Sequence, residues 1–409
     1  MNSIEEKELK SKTKKISITE GSAYSVSDGL GMRYITPYAL ALGSNNHHIA
    51  FLTSIPSLLG NLVQLQTVKL MKKYSRKKIC FFAALIQALI WLVIIALGIY
   101  YYLTNSSAIP IMLVIIYTLL FLSGSFLGPA WFSWMRDIVD EKELGTYFGT
   151  RNRIIGFVGL LCMIFAGFTL NYYHGSSKII LVFIGLFFLA FLSRSISAYL
   201  FTLKYEPEFK IQANLDFTFK QFLQNLTKSN FGLFVLFLSL LYFSVAIASP
   251  FFSVYMLTDL GFNYLQYMLV IISSATSMIL FMPLWGKFTD RYGNIKTIKI
   301  CSSLIPLIPL LWLPSLYLLH HYPAFLVLYL FIIEFFSGMV WSGFNLAIGN
   351  FIFNSITREK VPLAVTYTNI CGGVGLFLGA TLGGFLSSFE FGIFNLSSLG
   401  MIILISGVA

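Results

Sequence analysis

The sequence predicts an all-α polytopic membrane protein, with twelve transmembrane helices in two pseudo-symmetric six-helix halves. Three observations predict it. Of 409 residues, 57% are hydrophobic and only 11% charged, and the mean hydropathy is +0.77. An ordinary globular domain is about half apolar and about a quarter charged, so this composition excludes a soluble catalyst. The apolar residues come in long blocks, such as 79–103 and 179–192, and a bilayer-spanning helix needs about 20 of them. Finally, the basic residues fall between the blocks in every second loop, and so on one side.

Twelve spans can be drawn: 21–43, 48–68, 79–103, 109–134, 154–174, 179–203, 231–257, 265–285, 300–319, 323–350, 363–387 and 392–409. Lipid offers no water to unpaired backbone groups, so these are helices and not open sheet. The first block is a span and not a secretory signal. A tail of 20 residues with Lys7, Lys10, Lys12, Lys14 and Lys15 precedes it, and no small-residue cleavage site follows. The last span has about 18 residues, the short end of the usual range, and no basic flank. It reads either as a chain truncated at its end or as a minimal final span.

Alternating spans place 25 of the 28 Lys and Arg on one side. They are five in the tail, six in loop 69–78, four in loop 135–153, four in linker 204–230, four in loop 286–299 and two in loop 351–362. The opposite side holds Lys178 alone. Basic loops stay cytoplasmic, so the tail and linker are expected in the cytoplasm of a multi-pass cell-membrane protein. The +11 net charge thus reports topology, and nucleic acid drops out as a partner.

Linker 204–230 separates a half at 21–203 from a half at 231–409. Within it Phe219, Phe222, Leu223 and Leu226 follow an i, i+3, i+4, i+7 rhythm, predicting a short amphipathic helix at the membrane interface. The halves repeat: a shift of 217 superposes Asn152 on Asn369, Gly156 on Gly373, Gly167 on Gly384 and Phe168 on Phe385. Two such halves joined by a cytoplasmic linker are a signature of parallel repeats in transporters. In span 11, Gly375, Gly379 and Gly383 share one face, a spacing that brings helices close. Cys80, Cys162, Cys301 and Cys371 read as small buried residues. His47, His48, His320 and His321 at outer ends read as solvated, with no third metal ligand in register. No cofactor is expected.

The strongest local motif lies between spans 8 and 9: Gly286-Lys287-Phe288-Thr289-Asp290-Arg291-Tyr292-Gly293-Asn294. It resembles the G-x-x-x-D-R-x-G-R/K loop of the major facilitator superfamily. The equivalent first-half loop, 68–77, keeps the length and the basic end, but Lys72 replaces the acid and Ser75 the second glycine. The resemblance covers essentially the whole chain, and segments 38–43 and 248–252 are similar to a prokaryotic branch of the superfamily. It implies that the loop grips the opposite half when the cytoplasmic gate is shut. Gly286, Asp290, Arg291 and Gly293 then form the gate, with Arg151 and Arg153 at the start of span 5 as receivers. The alternative is a solvated turn. The resemblance also implies that spans 1, 4, 7 and 10 line a central cavity.

Charges within spans are costly unless paired or hydrated. Glu334 lies roughly 16 Å into span 10 and Arg33 roughly 18 Å into span 1, at 1.5 Å per residue. Both are near the midplane of a core about 30 Å thick. An Arg33–Glu334 relationship, direct or through substrate, follows from that depth. Asp28-Gly29-Leu30-Gly31 and Pro37 mark a kinked or partly unwound first span. Asp28, Arg33 and Glu334 are therefore candidates for substrate binding or proton coupling. The alternative makes Asp28 a cap and Arg33 a partner of exposed carbonyls. Arg194 in span 6 reads as snorkelling to the inner surface or as structurally paired. Ser125, Trp131, Tyr242, Ser249, Trp341 and Asn345 are candidate cavity-lining residues.

These features predict a secondary active transporter that moves a small solute by alternating access. Symport or antiport with H+ is one coupling, in a monomer embedded in the lipid bilayer. A P-loop is absent, which excludes that ATP-driven mechanism. A membrane-embedded enzyme would need a catalytic motif, and H-E-x-x-H and G-x-S-x-G are both missing. A non-transporting sensor on the same fold is the third reading. Substrate and direction of transport are not legible.

Overall fold

A computed structural model describes residues 3–71, 73–140, 143–207, 219–355, 361–389 and 397–409. Lys72, Glu141 and Lys142 of the basic loops lie outside the described residues, as do linker stretch 208–218 and loops 356–360 and 390–396. The regular structure among the described residues is helical. In chain order the helices are α1 (Ser3–Leu30), α2 (Ile35–Ala41), α3 (Asn46–Met71), α4 (Arg76–Thr104), α5 (Ile109–Ile138), α6 (Leu144–Tyr172) and α7 (Ile179–Thr202). There follow α8 (Phe219–Gln224), α9 (Asn230–Ala248), α10 (Phe252–Leu257), α11 (Tyr264–Tyr292), α12 (Asn294–Leu304), α13 (Leu307–Trp312) and α14 (Ser315–His321). The last three are α15 (Pro323–Ser355), α16 (Val361–Leu386) and α17 (Ser398–Val408). Ten segments are long and apolar enough to cross a membrane. The α1–α2 pair and the 11-residue α17 supply the first and last spans.

The tail expected at 1–20 continues into the first span as one helix, α1. No Gly or Pro precedes Gly21, and a Lys- and Glu-rich stretch is a good helix former. Lys10 and Glu6 add an i, i+4 ion pair at 2.9 Å. The expected break in span 1 is present: α1 ends at Leu30, Met32–Tyr34 form a 3₁₀ turn, and α2 resumes the span. Span 7 breaks in the same way, at the 3₁₀ turn Ser249–Phe251 between α9 and α10. There Pro250 removes a backbone donor and crowds the preceding turn. The two turns stand 217 residues apart, the same offset at which the halves align in sequence. Span 9 is cut into α12, α13 and α14, with Pro306 and Pro314 at the N-caps of the last two.

Connections are shorter than the hydropathy pattern implies, because helices run on past the apolar segment until a breaker stops them. Loop 286–299 reduces to a one-residue turn at Gly293, whose φ of +86° favours glycine. Loop 135–153 reduces to 139–143. Loop 69–78 reduces to 72–75, where Ser75 caps α4 by accepting from the Lys78 N–H at 3.2 Å. In the linker, Phe219 and Phe222 of α8 pack on Tyr367 of α16, with ring centroids 5.2 and 5.3 Å away.

The chain forms two compact units, residues 1–48 with 55–213 and residues 49–54 with 214–409. In the first, α1 packs against α6 and α7, and α4 against α5 and α7. In the second, α9 packs against α16 and α17, while α15 packs against α11, α12 and α13. Numbered as spans, 1 with 5 and 6 corresponds to 7 with 11 and 12, and 3 with 4 corresponds to 9 with 10. Large outward side chains remain apolar, as at Phe82 and Ile115, a surface suited to lipid.

The span-11 glycines do what their spacing predicts. A Cβ on Gly375, Gly379 or Gly383 would collide with the carbonyl oxygens of Ser239, Phe243 and Ile247 on α9. The close approach also lets Ser239 Oγ donate to the Cys371 carbonyl at 2.7 Å. The first unit has a counterpart, where Ser25 Oγ of α1 donates to the Ile155 carbonyl of α6 at 2.7 Å. Overpacking of this kind costs about 1–3 kcal/mol. Gly379→Val should therefore lower the thermal midpoint and the monodisperse yield of the purified protein. Gly286→Ala, at a helical glycine where an added Cβ would meet Leu346 Cδ2 at an ordinary contact distance of 4.0 Å, should leave both unchanged.

Candidate functional site

The first cluster sits at the broken span of the first unit. Arg33 lies in the 3₁₀ turn and its Nε is 3.0 Å from Asp28 Oδ2. The pair is accessible, with Arg33 55% and Asp28 26% exposed. Tyr24, one turn before Asp28, is partly exposed, and Tyr117 of α5 lies within the electrostatic reach of both charges. Arg33, which the sequence related to Glu334, thus has an ion-pair partner within its own unit. The cluster offers an acid, a base and phenolic hydroxyls beside an interrupted helix, where backbone groups are freed from the regular ladder.

The second cluster belongs to the second unit. A cavity of about 430 Å³ opens between α9, the α12–α13 junction, α15 and α17. Glu334, Trp341, Ser244, Ser249, Ser337 and Ser406 line it together with aliphatic and aromatic side chains. Its size falls in the range of small-molecule pockets, roughly 300–1,000 Å³. Glu334 is the one charged side chain among the described lining residues. Its carboxyl sits beside the Trp312 indole and the Ser274 hydroxyl, and the buried Trp312 Nε1 makes no hydrogen bond of ordinary geometry. Ser406 Oγ donates to the Ser244 carbonyl at 2.8 Å, tying α17 to α9 at the cavity wall.

Of the other candidates, Ser249 and Trp341 line this cavity. Ser125 is buried in the first unit and donates to the Phe121 carbonyl at 3.1 Å. Trp131 joins the core cluster with Trp134 and Phe201. Tyr242 packs on Gly372 at the α9–α16 contact, and Asn345 is exposed on α15. Among the gate residues, Asp290 and Arg291 are exposed at the end of α11, and Gly293 makes the turn. Gly286 lies inside α11 with ordinary helical surroundings. Arg153 is exposed, whereas Arg151 turns into its own unit. There Arg151 stacks on Trp131 at 4.3 Å and lies 3.9 Å from Glu20.

Sequence reasoning passed over two buried charge clusters in the first unit. Glu20 of α1 is 4% exposed and its Oε2 is 3.0 Å from the Nζ of fully buried Lys204. Ser197 Oγ donates to Glu20 Oε1 at 3.1 Å and accepts from Arg194 at 2.8 Å. Arg194 Nε donates to Gln87 Oε1 at 2.8 Å, so this arginine is structurally paired and does not snorkel. Burial pulls the Lys204 ammonium below its ordinary pKa, and Glu20 opposes that pull. In the other cluster, Arg76 is 1% exposed and binds Asp137 at 2.5 Å, Ser133 Oγ at 3.2 Å and the Pro207 carbonyl at 3.3 Å. Its backbone N–H donates to Glu206 Oε1 at 2.7 Å. Glu20 and Lys204 lie just outside the hydropathy blocks, and the tertiary fold alone brings them together.

Helices in two repeated six-span units, with polar clusters at interrupted spans, define a polytopic membrane transporter. The Major Facilitator Superfamily model matches residues 24–379, and the chain belongs to that superfamily. It is a secondary transporter of a small solute, working by alternating access. Similar solved structures include the nucleoside transporter NupG, at 16% identity and TM-score 0.67, with 98% of this chain and 96% of that one covered. A bacterial homologue of the lysosomal transporter Spinster is 14% identical with TM-score 0.63, covering 93% and 83%. A bacterial homologue of the iron transporter ferroportin is 10% identical with TM-score 0.61, covering 100% and 96%. At these identities the likeness concerns the fold. No curated protein matches the chain in sequence.

Removing one partner of a buried ion pair strands the other and costs about 3–5 kcal/mol. Glu20→Gln should therefore lower the thermal midpoint sharply, measured in detergent or nanodiscs. The double variant Glu20→Gln with Lys204→Met should recover part of the loss, because it leaves no stranded ammonium.

Proposed function

We propose that this transporter couples solute movement to protons, with Glu334 as the coupling carboxylate. The observation that carries the reading is the cavity, which has one acid, no basic side chain and otherwise hydroxyl, aliphatic and aromatic lining. An acid inside a membrane bundle is costly unless it is paired, hydrated or protonated, and such acids mark proton and substrate pathways. Occupancy by a proton relieves the carboxylate, and departure of that proton re-creates the charge. Each event biases the two states of an alternating-access cycle. The Asp28–Arg33 pair is the corresponding polar contact of the first half, where solute binding competes with the ion pair.

The same reading places the protein in the cell membrane as a monomer, with its tail and linker cytoplasmic. The basic loops support this orientation. Asp290 and Arg291, exposed in the last turn of α11, with Arg153 on α6, supply the gate charges. Arg151 is held within its own half by Glu20 and Trp131.

In proteoliposomes with an imposed pH gradient, a solute screen should find uptake or efflux that depends on the gradient. Glu334→Gln should abolish that dependence. Solute movement in the variant with undiminished pH dependence would sink the coupling role. Asp290→Asn should slow transport severalfold at unchanged expression, and unchanged kinetics would count against the gate.

A further inference from the structure

The charge around Glu20 does not balance. Arg151, Arg194 and Lys204 converge from α6, α7 and the residues just after α7, and the acid they share is Glu20. Lys204 takes Glu20 Oε2 at 3.0 Å, while Arg151 Nη2 stands 3.9 Å from that same oxygen. Arg194 is satisfied by neutral groups, Gln87 and Ser197, and lies over the Tyr24 ring at 4.9 Å. Arg151 is the member with the longest ion pair, and its side chain retains 13% exposure. It is thus the cation of this cluster that an ion from water can reach.

Two further buried donors stand beside it. Trp131 is 6% exposed, carries the Arg151 guanidinium over its ring at 4.3 Å, and its Nε1 makes no hydrogen bond among the described residues. Ser17 is fully buried, and its backbone carbonyl accepts from Arg151 Nε at 3.4 Å. Its Oγ, beside the Tyr147 phenol, likewise makes no bond of ordinary geometry. The Tyr147 hydroxyl itself donates to the Lys14 carbonyl at 3.2 Å. Buried donors rarely go unmatched, and uncompensated buried charge is more costly still.

We propose that Arg151, Trp131 Nε1 and Ser17 Oγ form a site for a compact anion, of the size of chloride, phosphate or a small carboxylate. The anion supplies the acceptor that Trp131 Nε1 and Ser17 Oγ lack, gives Arg151 a closer counter-charge than its 3.9 Å contact with Glu20, and offsets the excess positive charge of the cluster. Its position among α1, α5 and α6 makes it a structural ligand of the first unit.

The test uses the full chain purified in neutral detergent. Thermal midpoints are followed against chloride or phosphate, with bulky gluconate holding ionic strength constant. A ligand that binds the folded state raises the midpoint saturably. The wild type should show this for the compact anions and not for gluconate. Arg151→Gln should raise the half-saturating concentration by about tenfold or more, the loss expected for a charge-assisted bond. Trp131→Phe keeps the stacked ring and removes the N–H, and should raise it about threefold. If Arg151→Gln does not fold, the Trp131→Phe comparison decides. Adding phosphatidylglycerol to the micelles at fixed salt separates a lipid headgroup from a free ion, and a shift from either source supports the site. A midpoint that rises equally with gluconate overturns the proposal, as do variants that retain wild-type half-saturation.

Discussion

In hydrocarbon, every backbone N–H and C=O must find its partner within the chain, and the rest of this molecule follows from that requirement. It turns each apolar block into a helix and lets the helices run on past the lipid until a glycine or proline stops them. It also makes any interruption inside a span expensive. Interruptions therefore coincide with polar side chains, as where Arg33 sits in the turn of the first span and pairs with Asp28 just before it. The same holds where Ser249 opens the turn in the seventh and faces the cavity.

With hydrogen bonding consumed within helices, association rests on close packing. The glycine face of α16 against α9 is one solution. The first unit uses charge as well: Glu20, Arg194, Lys204 and Gln87 connect α1, α4 and α7 through buried polar bonds. The second unit holds a lone acid at its cavity. The halves share an architecture but differ in electrostatic character, one knitted by ions and the other largely apolar around one titratable group.

Much of the fold was legible because hydropathy, charge sidedness and glycine spacing are properties of neighbouring residues. The break at Gly31 and the tight α9–α16 contact were readable for that reason. Three things were not. The continuity of α1 through residue 20 was hidden, because hydropathy marks where lipid begins and a helix can begin earlier. The Glu20–Lys204 pair joins positions 184 apart in sequence, and no local pattern announces it. Rotation of a helix about its axis also decides whether a polar residue lines a cavity or fills a contact. That rotation separates Trp341 at the cavity from Tyr242 against Gly372, although both carried the same expectation.

The paired 3₁₀ turns bear on how the two halves keep their common shape. They occupy equivalent positions, yet one rests on glycine before Arg33 and the other on Pro250. Different residues produce the same bend at the same place. The bend is thus a property of the position the two halves share, and not of any one residue type: a glycine marks it in one half and a proline in the other.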